Sequence, residues 1–105
     1  MGVKIASSSV AGKIRNESVA VGAAVVTLSQ PKLRKFIYIR NTSAAGAINV
    51  MFSNNETASA TAAGFVLNPN EYVIDTDSGD AYECWNGTVT AYGVAGTTVS
   101  VVERI

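Results

Sequence analysis

The sequence predicts an all-β fold, an antiparallel β-sandwich or barrel of about eight short strands. Its 105 residues are rich in Ala, Val, Ser, Thr and Gly and contain only two prolines, a composition that favours strands and tight turns over helices. Turn signals recur about every 8–12 residues, the spacing typical of sandwiches and barrels. A chain of this length makes one domain with a modest core. We assign residues 1–18 to an extended N-terminal arm or edge strand and residues 19–105 to a single β domain.

The first half of the chain contains the clearest strands. Residues 1–18 mix valine and isoleucine with serines and glycine, so they suit either a short edge strand or an arm that becomes ordered against a neighbour. Residues 19–28 are strongly β, with a bend or bulge allowed at Gly22. Pro31 bars its continuation. Residues 33–41 alternate aromatic and β-branched residues, which fits a half-buried pleated surface.

The middle of the chain predicts three further strands and one long loop. Residues 47–52 place alternate apolar side chains on one face and form a strand. Residues 57–64 alternate alanine with serine and threonine, which indicates a surface loop packed by its alanines, although a short helix is conceivable. Residues 65–67 and 72–75 are brief strands on either side of a turn that contains Pro69.

The last third predicts consecutive hairpins. Residues 81–85 alternate as a strand, and Asn86-Gly87 is the strongest two-residue hairpin signal in the chain. A type I′ turn needs positive φ at both central residues, which Asn and Gly tolerate. Residues 88–94 would return from that turn, and residues 99–105 would close the sheet.

The charge distribution is lopsided although the net charge is zero. Residues 1–40 carry seven basic residues against the single acidic Glu17, and residues 41–105 carry seven acidic residues against the single basic Arg104. One interpretation places complementary charges on separate regions, for contact between copies of the chain. The other is that strands from both halves interleave, so that the charges cancel within the fold.

The residues needed for catalysis or metal binding are scarce. The chain has no histidine and a single cysteine, Cys84, so acid–base catalysis near neutral pH, an internal disulfide and a Cys/His zinc site all lack their groups. We expect Cys84 to be a small buried apolar residue. Asp75, Asp77 and Asp80 form either a loose calcium loop or a solvated turn, and the rest of the EF-hand pattern is missing. The sequence predicts no enzyme and no cofactor.

Two groups of side chains are candidates for binding. The candidates for stacking against a ligand are Tyr72, Tyr82, Trp85 and Tyr92. A small β domain needs aromatic residues in its core, however, and we expect at least two of the four there. Lys32, Arg34, Lys35 and Arg40 are close enough in sequence to contact a phosphate backbone. The balanced net charge and the lack of a recognition motif argue against nucleic acid. No stretch resembles a secretion signal or a membrane span, so we expect neither membrane binding nor export.

Two-thirds of the chain, from Arg34 onward, carries a pattern of turn and core positions. The first part reads R-K-x-hydrophobic-x-hydrophobic-x-N-x-S and is represented here by Arg34, Lys35, Ile37, Ile39, Asn41 and Ser43. The later parts are represented by Gly64, Leu67, Pro69, Glu71 and Tyr72, and then by Trp85, Gly87 and residues 99–103. This pattern resembles small structural proteins and domains of tailed bacteriophages. Asn70 stands where glycine is usual, and Asn also tolerates positive φ.

The resemblance implies a jelly-roll-like β-sandwich that is present in many copies in a virion. It suggests a capsid decoration (cement) protein on the capsid surface, made in the cytoplasm of the host bacterium, which stabilises the head by binding across coat subunits. Its partners would be the major capsid protein and sister copies in a dimer or trimer. The alternatives are a head–tail connector subunit, a tail- or fibre-associated adaptor, or a glycan-binding module that uses Tyr72, Trp85 and Tyr92.

For the decoration hypothesis, basic side chains are the expected contacts with an acidic coat surface or a sister subunit. The predicted contact residues are Lys4, Lys13, Arg15, Lys32, Arg34 and Lys35.

Overall fold

The computed structural model describes residues 14–78 and 82–105, and all regular secondary structure within them is β. The eight strands are β1 (Ile14–Ala20), β2 (Val26–Ser29), β3 (Phe36–Asn41), β4 (Ile48–Phe52), β5 (Phe65–Leu67), β6 (Tyr72–Thr76), β7 (Val89–Tyr92) and β8 (Thr98–Arg104). The predicted all-β class and the number of strands are confirmed.

The strands form two four-stranded antiparallel sheets. Sheet 1 has the order β1-β8-β3-β6 and sheet 2 the order β2-β7-β4-β5. Strands pair as β1 with β8, β2 with β7, β3 with β6 and β4 with β5, like a long hairpin folded once along its length. The β3–β8 and β4–β7 pairings roll this hairpin into two layers. This connectivity is that of a jelly roll.

The core between the sheets follows from the alternation of side chains along each strand. Ile37 and Ile39 of β3 and Val99 and Val101 of β8 point inward from sheet 1 and are fully buried. Sheet 2 supplies mainly aliphatic side chains, which are Leu28, Ile48, Val50, Leu67, Val89 and Ala91. The aromatic residues contribute only at the margin, where Phe52 and Trp85 pack partly buried against this cluster. The core is therefore aliphatic.

The N-terminal part of the described chain differs from the expected boundaries. β1 begins at Ile14 and pairs along its whole length with β8, so the assigned boundary after residue 18 falls inside an edge strand. Residues 1–13, the rest of the expected arm, lie outside the described residues. The β segment predicted over residues 19–28 is two strands in different sheets, because Gly22 adopts a left-handed φ of 68° between them.

Two predictions for this part of the chain are wrong, the strand over residues 81–85 and the type I′ turn at Asn86-Gly87. Residues 82–88 form no strand, and Gly87 is not among the residues with positive φ. Carboxylates from the preceding segment hold this stretch instead. Asp75 accepts hydrogen bonds from the Tyr82 hydroxyl at 2.6 Å and the Trp85 amide at 2.7 Å, and Asp77 accepts one from the Cys84 amide at 2.6 Å.

The loop between β4 and β5 covers the centre of the outer face of sheet 2. Ala58 is buried, as predicted for the alanine-rich loop, and its amide donates to the Thr90 hydroxyl at 2.9 Å. The Asn49 side chain of β4 donates to the carbonyl of Ser59 at 2.7 Å. The centre of sheet 2 is therefore covered on both sides, by sheet 1 and by its own loop.

Candidate functional site

Glu103 is the centre of a charged cluster inside the sandwich. It points inward from β8 and is fully buried. Its carboxylate accepts hydrogen bonds from Arg15 Nη1 at 2.7 Å, Arg34 Nε at 2.9 Å and Lys32 Nζ at 3.2 Å, and a further one from the Ser29 hydroxyl. Three cations from the first half of the chain thus surround one carboxylate from its end. In this region the interleaving of the two halves offsets part of the positive charge of the first half.

Arg34 has an entirely internal role. It is only 4% exposed, and besides Glu103 its guanidinium donates to the Ser29 hydroxyl at 2.7 Å and to the carbonyls of Gln30 at 2.9 Å and Gly87 at 3.1 Å. It also donates to the carbonyl of Trp85 at 2.5 Å. A planar group with five donors suits this task, because it can join several acceptors in a fixed geometry. Arg34 therefore ties residues 85–87 to the end of β2.

The protonation of Glu103 is controlled by these contacts. Burial by itself would raise the pKa of the Glu103 carboxyl, but hydrogen bonds from Ser29, Arg15 and Lys32 favour the ionised form and together lower it. Within the described chain, every buried side-chain nitrogen and oxygen has a hydrogen-bond partner. The cluster is thus internally satisfied and does not aim an unpaired polar atom at a ligand.

The predicted coat-contact residues do not form one surface. Arg34 is buried and cannot present its charge to a partner, while Arg15 and Lys32 are partly exposed but bound to Glu103. The side chain of Lys35 is 66% exposed and lies 4.0 Å from the Asp77 carboxylate. Lys4 and Lys13 lie outside the described residues. The carboxylates near these basic side chains therefore belong to the chain itself, and are those of Glu103 and Asp77.

The predicted stacking residues are also dispersed. Tyr72 lies on the outer face of sheet 1, where its ring centroid is 5.4 Å from that of Tyr38. Tyr92 lies beside Asn49 in sheet 2, and Trp85 donates its indole N–H to the carbonyl of Thr88 at 3.0 Å. None of the four candidates is fully buried, and Tyr72 is 58% exposed. The expectation that at least two of them form the core is wrong because aliphatic side chains fill it.

Trp85 lines a groove at one margin of the sandwich. This groove has a volume of about 260 Å³, and its walls include Phe52, Phe65 and Tyr82. The rings of Phe52 and Phe65 meet edge to face, with centroids 5.5 Å apart. Asp75 also lines the groove, and both oxygens of its carboxylate accept hydrogen bonds from the chain. The groove is apolar in its walls and has one anionic group in its lining.

The residues considered for metal binding and nucleophilic chemistry have structural tasks. Asp75 and Asp77 bind backbone amides, as described above, and Asp80 lies outside the described residues. In the parts of the chain that the structure describes, no group of three or more His, Cys, Asp or Glu side chains is placed to hold a metal ion. Cys84 is buried as predicted, and burial together with the Asp75 carboxylate raises the pKa of its thiol to about 11.

The outer face of sheet 1 is a candidate binding surface that the sequence did not indicate. We call it the open face. It consists of the outward-pointing residues of sheet 1, which are Ile14, Asn16, Ser18 and Ala20 of β1, Thr98, Ser100, Val102 and Arg104 of β8, Phe36, Tyr38 and Arg40 of β3, and Tyr72, Ile74 and Thr76 of β6. Ile14, Tyr72 and Ile74 are 66, 58 and 46% exposed. The alternation in residues 36–40 predicts that Phe36, Tyr38 and Arg40 lie on one side of the sheet. It does not indicate which side of the sheet is exposed to solvent.

The described residues include no helix of the length and apolarity needed to cross a bilayer. Comparison of the chain with protein-family models, with curated proteins and with solved structures gives no match.

Proposed function

We propose that the chain is a non-enzymatic structural component of a tailed-bacteriophage virion, a capsid decoration protein that binds across coat subunits of the assembled head. The observation that carries the proposal is the open face. Its apolar members are contiguous, because Ile14, Phe36 and Val102 line one depression and Tyr38 packs on Tyr72. Contiguous exposed apolar surface rimmed by polar residues marks interaction sites on soluble proteins.

The contrast between the two sheets supports this assignment. The chain covers the centre of the outer face of sheet 2 with its own loop, through the buried Ala58 and the hydrogen bond from Asn49. On the open face Tyr72 and Ile74 remain about half exposed. The jelly roll is an architecture used in viral capsid proteins and in lectins, which is support by analogy of fold only.

The proposed partners are the major capsid protein and sister copies in a dimer or trimer, on the capsid surface. Decoration stabilises the head by mass action, because a protein that binds only the assembled shell shifts the equilibrium toward it. The internal pairing of Arg15, Lys32 and Arg34 with Glu103 moves the expected contact area from those residues to the open face.

The test is cosedimentation of the purified protein with assembled heads and with free coat subunits of the virus that encodes it. We expect the wild-type protein to pellet with heads only. Ile74→Asp should abolish pelleting, because it places a carboxylate within the apolar face. Val66→Asp is the matched control, since Val66 is 58% exposed on the edge strand of the other sheet. Failure of the wild-type protein to bind heads, or equal loss in both variants, would contradict the proposal.

A glycan-binding module is the second candidate, and the groove beside Trp85 favours it. Sugar rings stack on aromatic side chains, and the groove offers Tyr82 and Trp85 with a carboxylate at hand. Trp85 is the only tryptophan, so its fluorescence reports binding directly. Saturable quenching by one class of sugar, removed by Tyr82→Ala, would favour this candidate; an unchanged spectrum across a glycan panel would eliminate it.

A further inference from the structure

We propose that the surface which docks on the open face is apolar and carries two carboxylates, one opposite Arg40 and one opposite Arg104. This inference rests on the proposed function and specifies the chemistry of the partner. It follows from the placement of charge on the open face, which differs from that in the rest of the described chain.

The two arginines occupy opposite ends of the apolar area. Arg104 lies between Ile14 and Phe36 in one cross-strand row. Arg40 lies two rows away, next to Tyr72. The spacing between residues along a strand and between neighbouring strands places their Cα atoms about 14 Å apart. The row between them holds Val102, so the cations flank an apolar centre.

No carboxylate balances these two charges. None of the outward positions that define the open face is Asp or Glu, and no ion pair of the described residues includes Arg40 or Arg104. The contrast with Arg15 and Arg34 is clear, since both of those arginines bind Glu103. The open face therefore has a charge of two positive units that the described residues leave uncompensated.

The local contacts of Arg40 prepare it for an anionic partner. Its Nη2 donates to the side-chain oxygen of Asn70 at 3.0 Å, and the residue as a whole is exposed. Asn70 itself is held with a left-handed φ of 71° in the turn before β6. A planar guanidinium held in this way can bind a carboxylate through two parallel hydrogen bonds.

The depression beside Arg104 indicates which apolar group the partner would insert. It has a volume of about 340 Å³ and is lined by Ile14, Phe36, Val102 and Arg104, together with Glu103 of the same strand. An aliphatic or aromatic side chain of the partner would fill it, with a carboxylate near enough to reach the guanidinium at its rim.

A second copy of the same face is a poor occupant. Two open faces stacked on each other would enclose four arginines and no carboxylate, and like charges in a desolvated contact oppose binding. The partner surface is therefore a different one, with acidic residues at the spacing given above. Sister copies, where they associate, would do so through other parts of the chain.

Charge reversal tests the inference. We would measure the affinity for assembled heads of Arg40→Glu, Arg104→Glu and the double variant by quantitative cosedimentation. Each single variant should bind at least about tenfold more weakly, because it sets a carboxylate against a carboxylate. Lys35→Glu is the matched control, with the same change of charge on a side chain that is 66% exposed and lies off the open face, and it should bind like the wild-type protein. Thermal unfolding would verify that all variants are folded.

The outcomes separate this inference from the proposed function. If the wild-type protein binds heads and the arginine variants bind as Lys35→Glu does, the decoration role stands and the inference is overturned. A dimer in solution that Ile74→Asp dissociates would also overturn it, because the face would then belong to a second copy. If the wild-type protein ignores heads altogether, the proposed function fails and the inference with it.

Discussion

Glu103 decides how the basic residues of this chain are used. A buried carboxylate with a lowered pKa needs cations close to it, and Arg15, Lys32 and Arg34 supply them within 3.2 Å. Arg34 has no access to water and depends on this carboxylate most. Breaking a buried ion pair by removing one partner leaves the other charge uncompensated, which costs more than the pair itself contributes.

We therefore predict that Glu103→Gln lowers the free energy of unfolding by about 3–5 kcal/mol. Glutamine keeps the size and some hydrogen bonds of the side chain but leaves Arg34 charged and buried. Urea denaturation at neutral pH measures the change. Glu56→Gln, at an exposed position without an ion pair among the described residues, is the control and should change stability by less than about 0.5 kcal/mol. Equal, small effects in both variants would show that the cluster contributes little.

The same carboxylate predicts a dependence of stability on pH. Because the pKa of Glu103 is lower in the folded state than its ordinary value of 4.5, its contribution is fully present above that value. The contribution is lost as the pH falls through the lowered folded-state pKa. The difference in unfolding free energy between the wild-type protein and Glu103→Gln should therefore shrink as denaturation is measured at increasingly acidic pH. A constant difference would contradict this assignment.

Cys84 should be unreactive in the folded protein. Its thiol is buried, and a pKa of about 11 leaves almost no thiolate at pH 8. We expect labelling by iodoacetamide to be slow in buffer and rapid in concentrated urea, as followed by mass spectrometry. Rapid labelling of the native protein would mean that residues 82–88 open readily.

At the scale of elements, local sequence determined most strands, and competing hydrogen bonds explain the main error. Residues 36–41, 48–52, 65–67 and 72–76 match predicted strands closely. Residues 81–85 alternate like a strand, but the amides of Cys84 and Trp85 donate to side-chain carboxylates instead, a competition that periodicity does not reveal. Gly87 is needed for close approach and not for a hairpin, because a Cβ there would overlap the Trp85 ring.

The anchoring of this segment can be tested at Asp75. Asp75→Asn should lower the free energy of unfolding by about 1–3 kcal/mol, because the amide cannot replace a carboxylate that accepts two hydrogen bonds. The Trp85 emission should shift to longer wavelength as the ring becomes more hydrated. Glu83→Gln changes an exposed carboxylate in the same segment and should leave both properties unaltered. A shift in the control variant would make the fluorescence change non-specific.

At the scale of the whole molecule, the sandwich and its antiparallel character were predictable, whereas the site was not. Turn spacing indicates a β-sandwich or barrel, but the pairing of Ile14 with Arg104 joins the ends of the described chain and leaves no local signal. The same pairing brings Arg15 to Glu103 and explains why the charge asymmetry is partly offset there. The open face depends on where a loop runs, and residues 57–64 do not indicate by composition which sheet they cover.

The position of β8 also sets the order of events during synthesis. This strand is the last described one, yet it lies inside sheet 1, hydrogen-bonded to β1 on one side and β3 on the other. While the ribosome still holds residues 98–104 in its exit tunnel, β1 has no neighbour in its sheet, and the three cations lack the Glu103 carboxylate. We therefore expect nascent chains stalled at that point to be digested by protease, and chains extended by a linker that clears the tunnel to resist it. We expect the sandwich to form only when β8 has left the tunnel, and not strand by strand as the chain emerges.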